Sequence, residues 1–243
     1  MEAHQKQEKQ RAREEAPTID LKRVRSIGQI FRRQQKIYRF RFPLSQNEAF
    51  YLLAACYEAE VNRRNIKCIF DTNTVSNLVK VADFITSDKP DYGLFLGGNY
   101  GRGKTIMMYA FRRAVNHLSD AGRFREIMGE YWKPQFEIYQ AVDIVDIAKR
   151  DHREFKRICG LNMLGIDDLG VEEKEVKDYG NVMEPMMRLF EHRYNRQLFT
   201  VVTSNSTPKE QTEKFGERIA DRLAEMFHVI YFKSEISYRR MKK

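Results

Sequence analysis

The chain has 243 residues, 42% of them apolar, which is enough for one sizeable α/β core with a smaller appendage. Its three cysteines, Cys56, Cys68 and Cys159, form no C-x-x-C pair, and its five histidines lack ligand spacing, which argues against a disulfide framework or a four-ligand zinc site. The net charge of +9 is concentrated at the ends, with +7 in residues 1–41 and +4 in residues 239–243, so the body between them is close to neutral. Basic ends on a neutral body suit an acidic partner such as DNA or an acidic protein surface; they equally suit tails that are simply solvated. No apolar run approaches the roughly 18 residues that cross a bilayer, and the N-terminus is polar, so the expectation is a cytoplasmic protein without a membrane partner.

Residues 1 to about 17 are rich in Gln, Glu, Lys and Arg and offer no apolar face. From Leu21 to Phe42, basic residues alternate with Ile27, Ile30, Phe31, Ile37, Tyr38, Phe40 and Phe42. That mixture suits either contact with a partner or nucleic acid, or packing on the protein's own core. Ser45-Gln46-Asn47-Glu48 has the form of a capping box, opening a helix with Phe50, Leu53, Tyr57 and Val61 on one face. A second helix over 74–85 places Val75, Leu78, Val79, Ala82 and Ile85 together, and Lys89-Pro90 ends it. A domain boundary is expected near residue 60, with a basic N-terminal region over 1–60 and a larger domain over 61–243.

Residues 98–105, Gly98-Asn99-Tyr100-Gly101-Arg102-Gly103-Lys104-Thr105, fit G-x-x-x-x-G-K-[ST] and follow the apolar run Leu94-Phe95-Leu96. Glycines there let backbone N–H groups turn inward onto a di- or triphosphate, and a helix starting at Lys104 adds its positive end. Lys104 is expected on the β- and γ-phosphates of ATP and Thr105 on Mg²⁺. Met107, Ala110, Phe111, Ala114 and Leu118 mark the buried face of that helix.

Further strands are expected over 136–139, 161–168, 198–203 and 228–232, with helices between them, one carrying the stripe Met183, Met186, Met187, Phe190 and Tyr194. A second capping box, Thr207-Pro208-Lys209-Glu210, starts another helix. Strands alternating with helices predict a parallel sheet covered on both faces. Asp167 ends the third strand, where a nucleotide-hydrolysing domain holds Mg²⁺ through water, and Asp168 beside it can reach the attacking water. Asn205 follows the fourth strand and can orient water or touch the γ-phosphate, or merely cap a turn. Arg218 and Arg222, four apart on a helix, are expected on the face opposite Ile219, Leu223 and Met226. Either could enter a neighbouring subunit's site, or both could belong to an exposed helix with Asp/Arg pairs.

Taken in order, the phosphate loop, Ile166-Asp167-Asp168-Leu169-Gly170, Arg193-Tyr194 leading into Thr203-Ser204-Asn205, Gly216-Glu217-Arg218 with Asp221-Arg222, and Ser237-Tyr238-Arg239 resemble the DnaC-type helicase loaders and the related IstB transposition ATPases of the AAA+ class. The likeness spans about residues 70–240, while residues 1 to about 60 match no motif of those families. It implies an AAA+ P-loop core with a parallel five-stranded sheet of order 5-1-4-3-2 and no full C-terminal lid. By the same resemblance Lys104 and Thr105 are the Walker A residues, Asp167 and Asp168 the Walker B pair, Asn205 a sensor, Arg222 the arginine finger, Arg218 a second residue of that box and Arg239 a sensor-like group. The implied activity is slow ATP hydrolysis, stimulated by DNA or a partner, with self-association through the ATP sites. The implied partners are a replicative helicase and single-stranded DNA or, for an IstB-like protein, a transposase and duplex DNA.

Overall fold

The computed structural model describes residues 19–32, 39–88, 91–101, 103–125, 134, 136–178 and 181–233. By their contacts the residues fall into two compact units, Met1–Ile37 and Tyr38–Lys243. In the first, the basic segment forms helix α1 (Leu21–Arg32), along which Leu21, Val24 and Ile27 are exposed.

The second unit is built on strands β1 (Gly93–Gly97), β2 (Phe136–Gln140), β3 (Met163–Leu169), β6 (Phe199–Ser204) and β7 (Phe227–Tyr231). All pair in parallel, in the order β2-β3-β6-β1-β7. Counting only these five strands, this is the order 2-3-4-1-5, the arrangement that the resemblance implies. A short antiparallel hairpin, β4 (Val176–Asp178) with β5 (Asn181–Met183), follows β3 and was not foreseen; Met183, expected on a helix, lies on β5.

Alternating side chains along the strands feed two cores. Leu94, Leu96 and Val201 face one side with α2 (Gln46–Asn62), α3 (Thr72–Thr86) and α4 (Lys104–Asp120). Phe95, Leu164, Ile166 and Val202 face the other with α5 (Ala141–Arg150), α6 (His152–Cys159), α7 (Pro185–Arg196), α8 (Pro208–Phe215) and α9 (Glu217–Met226). Burial on both faces is why β1 reads as a continuous apolar run and β6 as a run of apolar and β-branched residues up to Ser204. In the first core Phe111, fully buried, stacks on Phe42 and Phe199 at 5.5 and 5.8 Å and meets Phe136 edge-on at 5.6 Å. The described end of the basic–aromatic segment thus packs inward, with Phe40 and Phe42 in this cluster, while residues 33–38 lie outside the described residues.

Both expected capping boxes form, Ser45 with Glu48 and Thr207 with Glu210, because each hydroxyl takes an otherwise unpaired helix N–H while the glutamate returns to the cap's own N–H. The α2 helix packs on α3 and α4, so residues 39–60 are built into the same body as the sheet. On α3 the buried face comprises Leu78, Val81, Ala82, Phe84 and Ile85 along with the polar Thr74 and Asn77, whereas Val79 is exposed. Among the described residues no helix is long and apolar enough to cross a membrane.

Candidate active site

The site lies where β1, β3 and β6 end at their carboxyl edges, the edge where open parallel sheets present loops to ligands. After β1 the chain turns through Gly98, Asn99, Tyr100 and Gly101 into Gly103, which is the N-cap of α4 in a left-handed conformation, φ 86°. Gly103 cannot be replaced cheaply, since a Cβ there would lie 2.6 Å from the Tyr57 hydroxyl of α2. The N-cap, Gly103, makes no side-chain cap bond, so the positive end of α4 faces the loop without a capping side chain from that position. Tyr100 is 65% exposed, and Arg102 lies outside the described residues.

Lys104 is almost fully buried, and its ammonium donates to the carbonyls of Gly98 and Asn99 at 2.6 and 2.8 Å and to Asn205 Oδ1 at 2.8 Å. The cation is therefore held inside the loop by three oxygen acceptors. Asn205, half-buried just past β6, also donates through Nδ2 to Asp168 Oδ1 at 3.3 Å. Its amide links the loop lysine to the second carboxylate of the acidic pair.

Asp167 is 1% exposed, and its carboxylate is fully engaged. Oδ1 accepts from Thr105 Oγ1 at 3.0 Å and Thr203 Oγ1 at 2.5 Å, and Oδ2 accepts from Gln140 Nε2 at 3.0 Å. A threonine hydroxyl and a carboxylate meeting at this distance beside a phosphate loop form the donor set that suits Mg²⁺, a hard ion that keeps water and takes few protein ligands. Among the described residues no cluster of three or more His, Cys, Asp or Glu side chains able to hold a metal occurs.

Asp168 differs from its neighbour in backbone as well as exposure. The β3–β6 register shifts between Ile166 and Leu169, and within that irregularity Asp168 takes φ 55°, left-handed for a non-glycine residue. Its N–H donates to Thr203 Oγ1 at 2.9 Å, the same hydroxyl that binds Asp167. At this irregularity the Asp168 carboxylate meets the Asn205 amide. Gln140, Thr203 and Tyr57 thus belong to the site although the sequence assigned them no role in it, Thr203 entering only within the Thr203-Ser204-Asn205 motif and Tyr57 only on a helix face. The signal available for two of them was a polar residue at the carboxyl end of an apolar parallel strand.

Arg222 departs from expectation. Helix α9 packs on α7, so Arg222 does not stand clear of the protein: Nη1 meets Glu191 Oε1 at 2.6 Å and the guanidinium lies 5.3 Å from the Tyr194 ring centre. Arg218 sits in the first turn of α9, and Ile219, Leu223 and Met226 are buried as expected. Ser237, Tyr238 and Arg239 lie outside the described residues. Arg193 is fully enclosed at the opposite edge of the sheet, donating to Thr200 Oγ1 at 2.8 Å and to the carbonyls of Leu161, Phe199 and Cys159 at 2.8, 2.7 and 3.2 Å. Burial lowers its pKa to about 9, which leaves it cationic at neutral pH, tying the starts of β3 and β6 to α7.

The fold is similar to that of the DnaC helicase loader (21% identity, TM-score 0.49, 67% of this chain and 92% of that one). It is also similar to DnaI (18%, 0.48, 68% and 88%) and to AMPPCP-bound DnaA from Aquifex aeolicus (17%, 0.48, 71% and 50%). No curated protein matches the sequence significantly. Residues 39–242, most of the chain and all of the site, match the model of the AFG1-like ATPase family. With a P-loop, an acidic pair and a parallel sheet of AAA+ order arranged as described, the chain belongs to the AFG1-like ATPase family.

Proposed function

We propose that this chain binds ATP with Mg²⁺ and hydrolyses it, and that turnover is controlled by assembly and by a macromolecular partner. The observation that carries the reading is the convergence of Lys104, Thr105, Asp167, Asp168 and Asn205 through direct hydrogen bonds, although they come from three separated stretches of sequence. In this reading the start of α4 and Lys104 receive the β- and γ-phosphates, with the ammonium exchanging loop carbonyls for phosphate oxygens. Thr105 and Asp167 hold Mg²⁺, which neutralises charge on the phosphates when bound. Gln140 and Thr203 keep the Asp167 carboxylate oriented. Asp168 takes the attacking water's proton or fixes its direction, and Asn205 keeps Asp168 and the lysine in register.

The finer reading is an ATP-dependent DNA replication protein that delivers a replicative helicase and grips single-stranded DNA. It is supported by the ordered motifs between Gly98 and Arg222 and by the basic ends of the chain. The family match and this resemblance agree at the level of AAA+ ATPases and part below it. Calorimetric titration of ATP with Mg²⁺ into wild type and Lys104→Ala, with phosphate release measured with and without single-stranded or duplex DNA at fixed salt, tests both levels. Lys104→Ala is expected to lose binding, and single-stranded DNA to stimulate the wild type. Unchanged affinity in the variant removes the phosphate role, and preference for duplex favours an IstB-like activity.

A further inference from the structure

Beyond the acidic pair, Glu172 carries a carboxylate with no exposed surface. Its Oε2 accepts from the Gly170 N–H at 2.7 Å, and its Oε1 lies 2.9 Å from Lys214 Nζ. Lys214 sits in the last turn of α8, and its ammonium also donates to the carbonyls of Gly170 and Glu172 at 3.0 and 2.5 Å. A buried ion pair is weak evidence of stability, because removing both charges from water offsets most of their attraction. Where these contacts fall is more informative. All of them land on the turn Gly170–Glu172, the direct continuation of the strand that bears Asp168, and Gly170 itself is left-handed at φ 110°.

The other flank of that turn is held by the end of β6. Ser204 Oγ donates to the Leu169 carbonyl at 2.7 Å and accepts from the Ser206 N–H at 3.0 Å. Asp168 therefore lies between a threonine on its own N–H and a turn fixed from two directions. A left-handed non-glycine residue is strained and persists only where its surroundings over-determine it. On the β6 side those surroundings are Thr203 and Ser204; on the α8 side they are Lys214 and Glu172.

We infer that Lys214 and Glu172 are positioning residues that hold Asp168 in its left-handed conformation, with the carboxylate directed at Asn205. The inference rests on the proposed part of Asp168 in hydrolysis. It also makes α8, which leads through Gly216 into the helix bearing Arg218 and Arg222, a mechanical neighbour of the acidic pair.

The test is Lys214→Met, with Glu172→Gln as a second variant should the first fail to fold. Each is expected to lower kcat for phosphate release at least about tenfold while KM and the equilibrium affinity for ATP stay within about twofold, since a displaced catalytic group costs rate without costing binding. In an Asp168→Asn background the same substitution is expected to add no further loss. A loss that persists in that background, or a rise in KM at unchanged kcat, overturns the inference. If the wild type releases no phosphate, the hydrolytic reading fails and the crystal structure of Lys214→Met decides this one alone. Asp168 is then expected to leave the left-handed region, and Asp168 still near φ 55° would overturn the clamp.

Discussion

Asn205 has a single amide and uses both ends of it, accepting from Lys104 and donating to Asp168. Alanine at 205 leaves Lys104 its two loop carbonyls, so ATP affinity should change less than about threefold, whereas kcat should fall by about 10²-fold, the usual cost of losing one aimed polar group in an active site. Steady-state phosphate release alongside calorimetry checks this, and an unchanged kcat would return Asn205 to the role of a turn cap. At this scale the sequence is informative wherever chemistry demands one residue type at a fixed spacing, as for Lys104, Thr105 and Asp167. Gln140 and Thr203 escape it, because many polar residues could satisfy a carboxylate and only the fold says which are within reach.

Among the elements, β2 lies at one edge of the sheet, and α6 reaches across to it through one residue. Arg157 donates from Nη1 and Nη2 to both oxygens of Glu137 at 2.7 and 2.8 Å, from Nη2 to the Tyr139 hydroxyl at 2.8 Å and from Nε to Glu154 at 2.8 Å. Hydrogen bonds from this guanidinium hold the Glu137 carboxyl below its ordinary 4.5, and burial together with Glu137 pushes the Tyr139 hydroxyl up to about 12. A carboxylate with a depressed folded pKa adds stability that is complete above its unfolded pKa and is lost as pH falls through the folded one. Arg157→Met should therefore lower Tm at neutral pH, with the gap to wild type closing as pH falls below 4.5. A thermal-unfolding series against pH checks it, and a gap that stays constant would assign the loss to packing. The period of apolar residues located most helices and strands but neither the β4–β5 hairpin, whose strands are three residues each, nor α6, where Phe155, Ile158 and Cys159 do stand at helical spacing but over little more than one turn. It also put Val79 of α3 inside, where Asn77 is buried instead, since neighbouring helices decide how a helix is rotated.

For the whole molecule the question is how Arg222 could serve a second subunit while paired to Glu191 of its own. If it is the finger, assembly must exchange a carboxylate for a γ-phosphate, and the ion pair then biases the free chain toward rest. Arg222→Ala should keep ATP affinity and lose hydrolysis, Lys104→Ala should lose both, and mixing the two proteins should restore hydrolysis at sites built from one intact loop and the other chain's intact arginine. Phosphate release on mixing is the measurement, and no recovery would confine Arg222 to the α7–α9 contact.

The order of the sheet was implied only by the resemblance of the motifs to AAA+ proteins, whereas by itself the sequence determined the phosphate loop, the position of the acidic pair and the order of most elements. These are encoded locally, in spacings that backbone geometry and phosphate chemistry impose on adjacent residues. The tertiary structure alone decided that Asp168 is left-handed, that Arg222 folds back on Glu191, that Tyr57 abuts Gly103 and that Lys214 reaches Glu172. Each depends on which side chain a distant element brings within about 3 Å, a matter of long-range packing that no local period records.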